Sequence, residues 1–199
     1  MEELRDQSRR LVLASTSKYR KALLERLGLA FEVAPPGVDE QVLPGEAPAD
    51  TALRLSVLKA QSLRKRFADA LIIGSDQVAA LGSERLDKPG NHEGAVRQLR
   101  RMSGKAADFH TAVTVFDSNT TKIESRLVPC RVTFRTLDDA RIEAYLRREQ
   151  PYDCAGSAKA EGLGIALIAR METDDPTSLI GLPLIALTEI LEHAGLQVI

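Results

Sequence analysis

The sequence predicts an α/β fold in which a mixed, twisted sheet is flanked by helices and forms two lobes of one domain. Short apolar runs typical of strands alternate with segments of helical periodicity along the 199 residues. Two long alternating segments between Phe109 and Arg135 predict an antiparallel hairpin, which makes the sheet mixed rather than parallel. Because no change of composition marks a linker, we expect one domain over residues 11–199, preceded by a charged extension over residues 1–10.

In the N-terminal half, apolar runs predict strands, and proline and glycine residues predict the loop between them. Leu23, Leu24 and Leu27 fall on one side of a predicted helix that ends at Gly28, and Asp50 is a suitable N-cap for the next helix. The expected order is a strand Leu11–Ala14, a helix up to Gly28, a strand Phe31–Ala34, a loop Asp39–Ala49, a helix Asp50–Arg66 and a strand Leu71–Gly74.

In the C-terminal half, helix starts are indicated by side chains that can accept from free amide groups, and by proline in a first turn. Alternation places Val128, Cys130, Val132 and Phe134 on one face of the second hairpin strand. The expected order is a helix after Asn91 to Met102, a hairpin of Phe109–Phe116 and Glu124–Arg135 with a turn at Asp117–Thr121, a helix after Asp138 to Glu149, a strand Ile165–Ala169 and a helix Pro183–His193.

The composition excludes several classes of function. The chain has 27 Lys and Arg against 28 Asp and Glu, and the resulting charge of −1 favours neither nucleic acid nor an anionic membrane as a partner. An aromatic content of 4% argues against a platform that stacks on single-stranded bases. No apolar run approaches the ~18 residues of a membrane helix. With no secretory signal in the charged first residues, we expect a cytoplasmic protein in which Cys130 and Cys154 are reduced thiols.

The first candidate site follows the first predicted strand, where hydroxyl and basic residues lie at the start of a helix. Ser15, Thr16 and Ser17 come before Arg20 in the first turn. Free amide groups at a helix start attract anions, and an arginine can bind a phosphate through two hydrogen bonds. The alternative is an ordinary helix cap with solvated basic side chains.

A second group of polar residues is scattered along the chain. Asp76 follows the predicted strand Leu71–Gly74, at the end of a strand where ligands bind in open α/β sheets. A carboxylate there can act as a general base or bind a divalent cation, although it could also simply cap a turn. Glu40, Lys59 and Lys88 are the residue types of a metal–polyphosphate site, and each alone is typical of a surface.

Taken together, these motifs resemble the Maf family of nucleotide pyrophosphatases over the chain from about Arg10 onwards. The resemblance rests on several short motifs that occur in the family's order. They are Leu13–Arg20 with the following Leu23-Leu24 and Gly28, Val38-Asp39-Glu40, Lys59-Ala60, Gly74-Ser75-Asp76, Asp87-Lys88-Pro89, Ser103-Gly104, the hairpin and Gly181-Leu182-Pro183.

The resemblance implies a fold like that of inosine triphosphate pyrophosphatases, with the active site in a cleft between the lobes. It implies hydrolysis of a nucleoside triphosphate between the α and β phosphates, with a divalent cation such as Mg²⁺ or Mn²⁺ and with a homodimer as the expected assembly. The family's proton acceptor maps onto Asp76, and the acidic residue near the metal maps onto Glu40. Whether Asp76 acts as base, metal ligand or both stays open. The phosphate-binding residues map onto Ser15, Arg20, Lys59 and Lys88.

Three positions resemble the subfamily that hydrolyses 7-methyl-GTP. Relatives acting on dTTP and UTP have Asp-Thr where this chain has Asp76-Gln77, and glutamine where it has Glu161. Methylation at N7 makes guanine cationic, and Glu161 could accept from the N1 and N2 donors while Tyr19 stacks on the ring. The alternatives are the same chemistry on unmodified dTTP, UTP or GTP, and a non-catalytic nucleotide-binding regulator of septum formation.

Overall fold

A computed structural model describes residues 9–199, which form alternating helices and strands as the sequence predicts. The helices are α1 (Lys18–Glu25), α2 (Pro48–Ser62), α3 (His92–Met102), α4 (Asp139–Glu149) and α5 (Leu184–His193). The strands are β1 (Leu11–Ala14), β2 (Glu32–Ala34), β3 (Leu71–Leu81), β4 (Glu84–Leu86), β5 (Ala106–Asp117), β6 (Ile123–Phe134) and β7 (Ile168–Glu172).

The strands form a single mixed sheet in the order β2-β1-β3-β5-β6-β7, with β4 added to the end of β3. β1 pairs in parallel with β2 and with Leu71–Ile73 of β3. β5 pairs antiparallel with β3 on one side and with β6 on the other along most of its length, and β4 pairs antiparallel with Ala79–Leu81. The predicted mixed sheet is therefore confirmed, and its three longest strands run through both lobes.

Separate apolar clusters give each lobe a core of its own. In the first lobe, α1 and α5 cover one face of the sheet through residues such as Leu23 and Leu187, and α2 covers the other face through Ala60. In the second lobe, α3 and α4 pack around Phe109 and Phe134. Full burial of one such large side chain contributes roughly 1.5–3 kcal/mol, so these clusters are the main stabilising feature of the fold.

Helix α2 approaches β3 very closely at Gly74. A Cβ atom at this position would lie 2.6 Å from the backbone nitrogen of Ala60 and even closer to the carbonyl oxygen of Ser56. Only glycine allows this approach, because any side chain would collide with the helix backbone. The contact holds Lys59, which precedes Ala60, against the neighbouring part of β3.

Several predicted boundaries are confirmed, because the side chains that define them are local. The Asn91 side chain accepts from the Gly94 amide at 2.8 Å, and Asp138 accepts from the Arg141 amide at 2.7 Å. Helix α5 follows Pro183 and ends at His193, as predicted. On β6, the predicted apolar face is buried at Cys130, Val132 and Phe134.

Other predicted bounds are wrong. α2 begins at Pro48 instead of Asp50, because proline fits a first turn where no amide hydrogen bond is needed, and it ends at Ser62. β3 extends to Leu81 because β5 supplies partners as far as Ala80. The last strand is Ile168–Glu172 instead of Ile165–Ala169, because Leu163–Leu167 forms a 3₁₀ turn. The short strand β4 was not predicted.

The predicted extension over residues 1–10 lies mostly outside the described residues. Arg10 is described, and its side chain forms an ion pair with Glu32 at 2.6 Å. Within residues 9–199, no helix has the combination of length and apolar character that crossing a bilayer requires. Cys130 and Cys154 are both free thiols.

Candidate active site

A cleft between the two lobes opens along one edge of β3. β1 pairs with Leu71–Ile73 and β4 with Ala79–Leu81, so in the described chain the stretch Gly74–Val78 has an open edge between them. The cleft has a volume of about 600 Å³. Its lining includes every site residue that the sequence predicts, namely Ser15, Tyr19, Arg20, Glu40, Lys59, Asp76, Gln77, Lys88 and Glu161.

Asp76 lies inside β3, and the prediction that it follows the end of a buried strand is wrong. It pairs with Ala112 of β5, and β3 continues beyond it. The neighbouring strand β1, however, ends at Ala14, and its last partner on β3 is Ile73. Asp76 therefore borders the space beyond the carboxyl end of β1, which is where ligands bind in open α/β sheets.

Lys59 connects two acidic residues at the centre of the cleft. Its ammonium nitrogen lies 2.6 Å from Oδ1 of Asp76 and 2.9 Å from Oε1 of Glu40. The side chains of Lys59 and Asp76 are only 5% and 9% exposed, whereas that of Glu40 is 57% exposed. Burial keeps Lys59 and Asp76 in one fixed arrangement, because each of these charges needs its partner once water is removed, whereas the exposed Glu40 is held less strongly.

The start of α1 presents hydroxyl groups and Arg20 to the cleft. Ser15 Oγ accepts from the Ser17 amide at 3.0 Å, and Ser17 Oγ caps the helix by accepting from the Arg20 amide at 3.4 Å. The Arg20 Nε donates to the carbonyl oxygen of Gly181 at 2.8 Å, and Ser75 Oγ donates to the same oxygen at 2.9 Å. Burial lowers the pKa of Arg20, and the nearby Asp76 and Glu40 act in the opposite direction.

Lys88 also lines the cleft, in the exposed segment that follows β4, whose Leu86 belongs to the core of the second lobe. The neighbouring Asp87 accepts from Arg85 Nε at 2.9 Å, and its carbonyl oxygen accepts from Gln98 Nε2 at 2.6 Å. These bonds fix the backbone on which Lys88 is carried. Arg20, Lys59 and Lys88 thus approach the cleft from three different elements, which gives it the cations that a polyphosphate needs.

The residues predicted to contact a nucleobase, Tyr19, Gln77 and Glu161, all line the cleft. The Gln77 amide nitrogen donates to Thr111 Oγ1 and to the Ser178 carbonyl, both at 2.9 Å. The amide oxygen of Gln77 is therefore the atom that could accept from a ligand. Glu161 is exposed, and Tyr19 from α1 reaches across to the segment that contains Asp153.

Comparison with known proteins identifies the family of this chain. The family model described as "Maf-like protein" matches residues 10–194. The chain belongs to the Maf family. It is 61% identical over 95% of its length to a protein of Thiobacillus denitrificans named 7-methyl-GTP pyrophosphatase, covering 94% of that relative. A protein of the same name from Cupriavidus pinatubonensis is 57% identical, with 94% of each chain covered. A solved HAM1 protein from Coxiella burnetii is a more distant likeness, with a TM-score of 0.44 and 14% identity over 79% of this chain and 98% of that one.

Two residues were not predicted from the sequence, one that lines this Maf cleft and one that supports a segment of its lining. Asp153, in the segment after α4, accepts from the Tyr19 hydroxyl, and an aspartate in a loop carries no signal that would single it out. Asp175 is 2% exposed, and its carboxylate accepts from the amides of Thr177, Ile185 and Ala186. It therefore holds the turn before α5, which supplies the Gly181 carbonyl, in place.

The acidic groups of the Maf cleft fit a divalent cation that is shared with a substrate. Within residues 9–199, no group of three or more His, Cys, Asp or Glu side chains forms a complete metal site. Glu40 and Asp76 are nevertheless held close together, since both contact the Lys59 ammonium. Mg²⁺ typically takes one or two carboxylates and completes its coordination with water and substrate phosphates. The donor set therefore suits this class of ion.

Proposed function

We propose that this Maf protein is a nucleoside triphosphate pyrophosphatase that hydrolyses 7-methyl-GTP to 7-methyl-GMP and diphosphate. The observation that carries the proposal is the grouping of Lys59, Asp76 and Glu40 at the centre of a cleft whose walls bring Arg20 and Lys88. The names of the relatives that are 61% and 57% identical support the substrate. Removal of such a modified nucleotide would keep it out of the nucleotide pool.

The basic residues and Ser15 bind the triphosphate in this proposal. Arg20 is directed by its bond to the Gly181 carbonyl, and its terminal N–H groups can bind phosphate oxygens in pairs. Lys88 faces it from the other lobe and would stabilise the negative charge that develops on the leaving diphosphate. Because the Gly181 carbonyl orients Arg20 before the substrate binds, this residue needs little reorganisation during the reaction.

Asp76 positions the attacking water and accepts its proton. Lys59 binds Oδ1 of Asp76, so the second carboxylate oxygen is the atom that would receive the proton. Glu40 and Asp76 would hold the divalent cation. When bound, this ion supplies positive charge to the phosphate oxygens and orients the α phosphorus. The Lys59 ammonium would orient both carboxylates, and from its place between them it would also contact the substrate phosphates.

The nucleobase contacts come from Tyr19, Gln77 and Glu161. The Glu161 carboxylate would accept from the N1 and N2 donors of guanine and balance the positive charge of the methylated ring. The Gln77 amide oxygen adds a further acceptor, and the Tyr19 ring offers a face for stacking. Replacement of Glu161 by glutamine would keep the shape of this surface and remove its charge.

The first experiment measures diphosphate release from 7-methyl-GTP, GTP, dTTP, UTP and CTP, with Mg²⁺ or Mn²⁺ and again after chelation. We expect 7-methyl-GTP to lead the panel by about tenfold in kcat/KM, which corresponds to about 1.4 kcal/mol of discrimination in the transition state. A lead for dTTP or UTP would retain the reaction and refute the proposed nucleobase contacts. Full activity after chelation would refute the proposed requirement for a divalent cation.

Replacement of Asp76 by asparagine separates an enzyme from a protein that only binds nucleotides. The variant keeps an oxygen for Lys59, so the cleft should still bind a nucleotide, while turnover should fall by about 10²–10⁴-fold. Equilibrium binding of a non-hydrolysable analogue and release of diphosphate are measured on the same preparation. Undiminished turnover would refute the role of Asp76, and absence of turnover in the wild-type protein would favour the nucleotide-binding regulator.

We further propose that the protein acts in the cytoplasm as a homodimer, without nucleic acid or membrane as a partner. The net charge of −1 supports only the absence of nucleic acid and membrane as partners, because it offers no general attraction to polyanions, and the homodimer is what the family resemblance implies. Analytical ultracentrifugation tests the dimer directly. A monomer at micromolar concentration would contradict it.

A further inference from the structure

A small cluster joins α1 to the segment after α4 at the mouth of the cleft. The Tyr19 hydroxyl donates to the Asp153 carboxylate, with both oxygens at 3.1 Å. The ammonium of Lys18 lies 3.3 Å from Asp153 Oδ2 and 4.9 Å from the centroid of the Tyr19 ring. All three residues line the cleft. We call the Tyr19 ring and the Asp153 carboxylate together the cation subsite.

The cation subsite has the two features that bind an organic cation. The face of an aromatic ring attracts positive charge, and a carboxylate beside it adds a full negative charge. Partial burial acts to raise the pKa of Asp153, but hydrogen bonds from Lys18 and Tyr19 outweigh it and hold that pKa below its usual value. The carboxylate is therefore ionised at neutral pH.

The Lys18 ammonium occupies the cation subsite in the free protein and can be displaced from it. Its side chain is 71% exposed, and the Asp153 side chain is 52% exposed. An ion pair between such exposed groups contributes little, because water screens the charges and the long side chain loses freedom. A second ammonium, that of Lys159, lies 5.8 Å from the Tyr19 centroid, but it is held by Glu149 at 2.7 Å and belongs to the fixed frame.

We propose that the cation subsite receives the positively charged ring of a 7-methylpurine nucleotide, which displaces the Lys18 ammonium, and that Asp153 is thereby a specificity-determining residue. The inference rests on the proposed function, since it assumes that the phosphates lie towards Arg20 and Lys88. Lys18 occupies in the free protein the place that the cationic ring takes in the complex. An uncharged guanine gains less from this place, because it must displace the same ammonium without replacing its charge.

Two substitutions with opposite expected effects test this inference. The readout is the ratio of kcat/KM for 7-methyl-GTP to that for GTP, together with the KM of each substrate. Asp153→Asn keeps an oxygen for the Tyr19 hydroxyl but removes the charge, and the ratio should fall by roughly threefold to fivefold through a higher KM for the methylated substrate. Lys18→Met removes the internal competitor, and the ratio should rise by a similar factor.

Matched controls separate this effect from general changes of charge or folding. Lys21→Met removes a lysine from the same helix at a position paired with Glu25, and Asp139→Asn removes an exposed carboxylate paired with Arg100. Both should leave the ratio unchanged. Long-range steering depends on the net charge of the substrate, which differs by one unit between the two nucleotides, so a purely steering effect would change the ratio in the control variants as well.

The outcomes distinguish a failure of this inference from a failure of the proposed function. If wild-type protein does not prefer 7-methyl-GTP, the proposed function fails whatever the variants show. If it does prefer 7-methyl-GTP, a lower ratio for Asp153→Asn with a higher ratio for Lys18→Met supports the cation subsite. An unchanged ratio in either variant overturns it and leaves Glu161 as the acidic group proposed to discriminate the nucleobase.

Discussion

Removal of the Lys59 ammonium should destabilise the protein more than removal of either of its acidic partners. In Lys59→Met the aliphatic part of the side chain is retained, but Asp76 and Glu40 are left facing the same space without a cation. Breaking a buried ion pair by removing one partner costs about 3–5 kcal/mol. We expect about 3 kcal/mol, at the low end of that range, because the cleft admits water near Asp76. The more exposed Glu40 adds less than about 1 kcal/mol.

Urea unfolding followed by circular dichroism measures this loss. For a chain of this length, it corresponds to a decrease of roughly 6–12 °C in Tm. Asp76→Asn and Glu40→Gln are the matched variants, and each should cost less than about 1 kcal/mol because Lys59 keeps one carboxylate and a neutral acceptor. Combining Lys59→Met with Asp76→Asn should recover part of the loss, because the unpaired buried charge is gone. Equal stability of Lys59→Met and the wild-type protein would refute this account of the cluster.

Three further predictions concern the frame of the cleft. Gly74→Ala should lower the free energy of unfolding by about 3 kcal/mol, because the new Cβ would collide with the backbone of α2; an unchanged urea midpoint would contradict the close approach. Asp175→Ala should cost about 3 kcal/mol through the loss of several charge-assisted hydrogen bonds, whereas the exposed neighbour Asp174→Ala should be neutral, and equal Tm values for the two variants would exclude this role. Hydrogen bonds and charge from Arg54 lower the pKa of Glu46 to about 2, so Glu46 stabilises the fold above its unfolded pKa and the contribution is lost as the pH falls from about 4.5 towards 2. The stability difference between wild type and Glu46→Gln should therefore shrink over that range, and a difference independent of pH would be inconsistent with the lowered pKa.

Local signals predicted the fold where one residue decides an element, and failed where tertiary pairing decides it. The side chains of Asn91 and Asp138 make the caps that their residue types favour, so the starts of α3 and α4 could be predicted. The polar sequence Ser75-Asp76-Gln77 gives no strand signal, and it is extended only because β5 pairs with it. The position of β7 depends in the same way on its partner β6.

For the candidate site, too, sequence motifs predicted part of the arrangement and tertiary contacts decided the rest. Residues from six separate segments were assigned to one cleft through the order of the motifs, and the structure brings them together. Nothing in the spacing of Glu40, Lys59 and Asp76 along the chain indicates that one ammonium contacts both carboxylates. Asp153 was missed for a related reason, since its partner Tyr19 is 134 residues away.

The long strands β3, β5 and β6 have a mechanical consequence for this enzyme family member. Residues Leu71–Ala80 are paired with Asp108–Asp117 without a break, and the ladder passes from one lobe into the other. The lobes are thus joined by a stiff ribbon, the paired strands β3, β5 and β6, instead of by flexible linkers. Moving one lobe away from the other would require several hydrogen-bonded strands to bend at the same time. Adjustment to a bound nucleotide should therefore be confined to the segments that leave the ribbon, residues 35–47 and 150–162, and amide hydrogen exchange should change there while the ribbon stays protected.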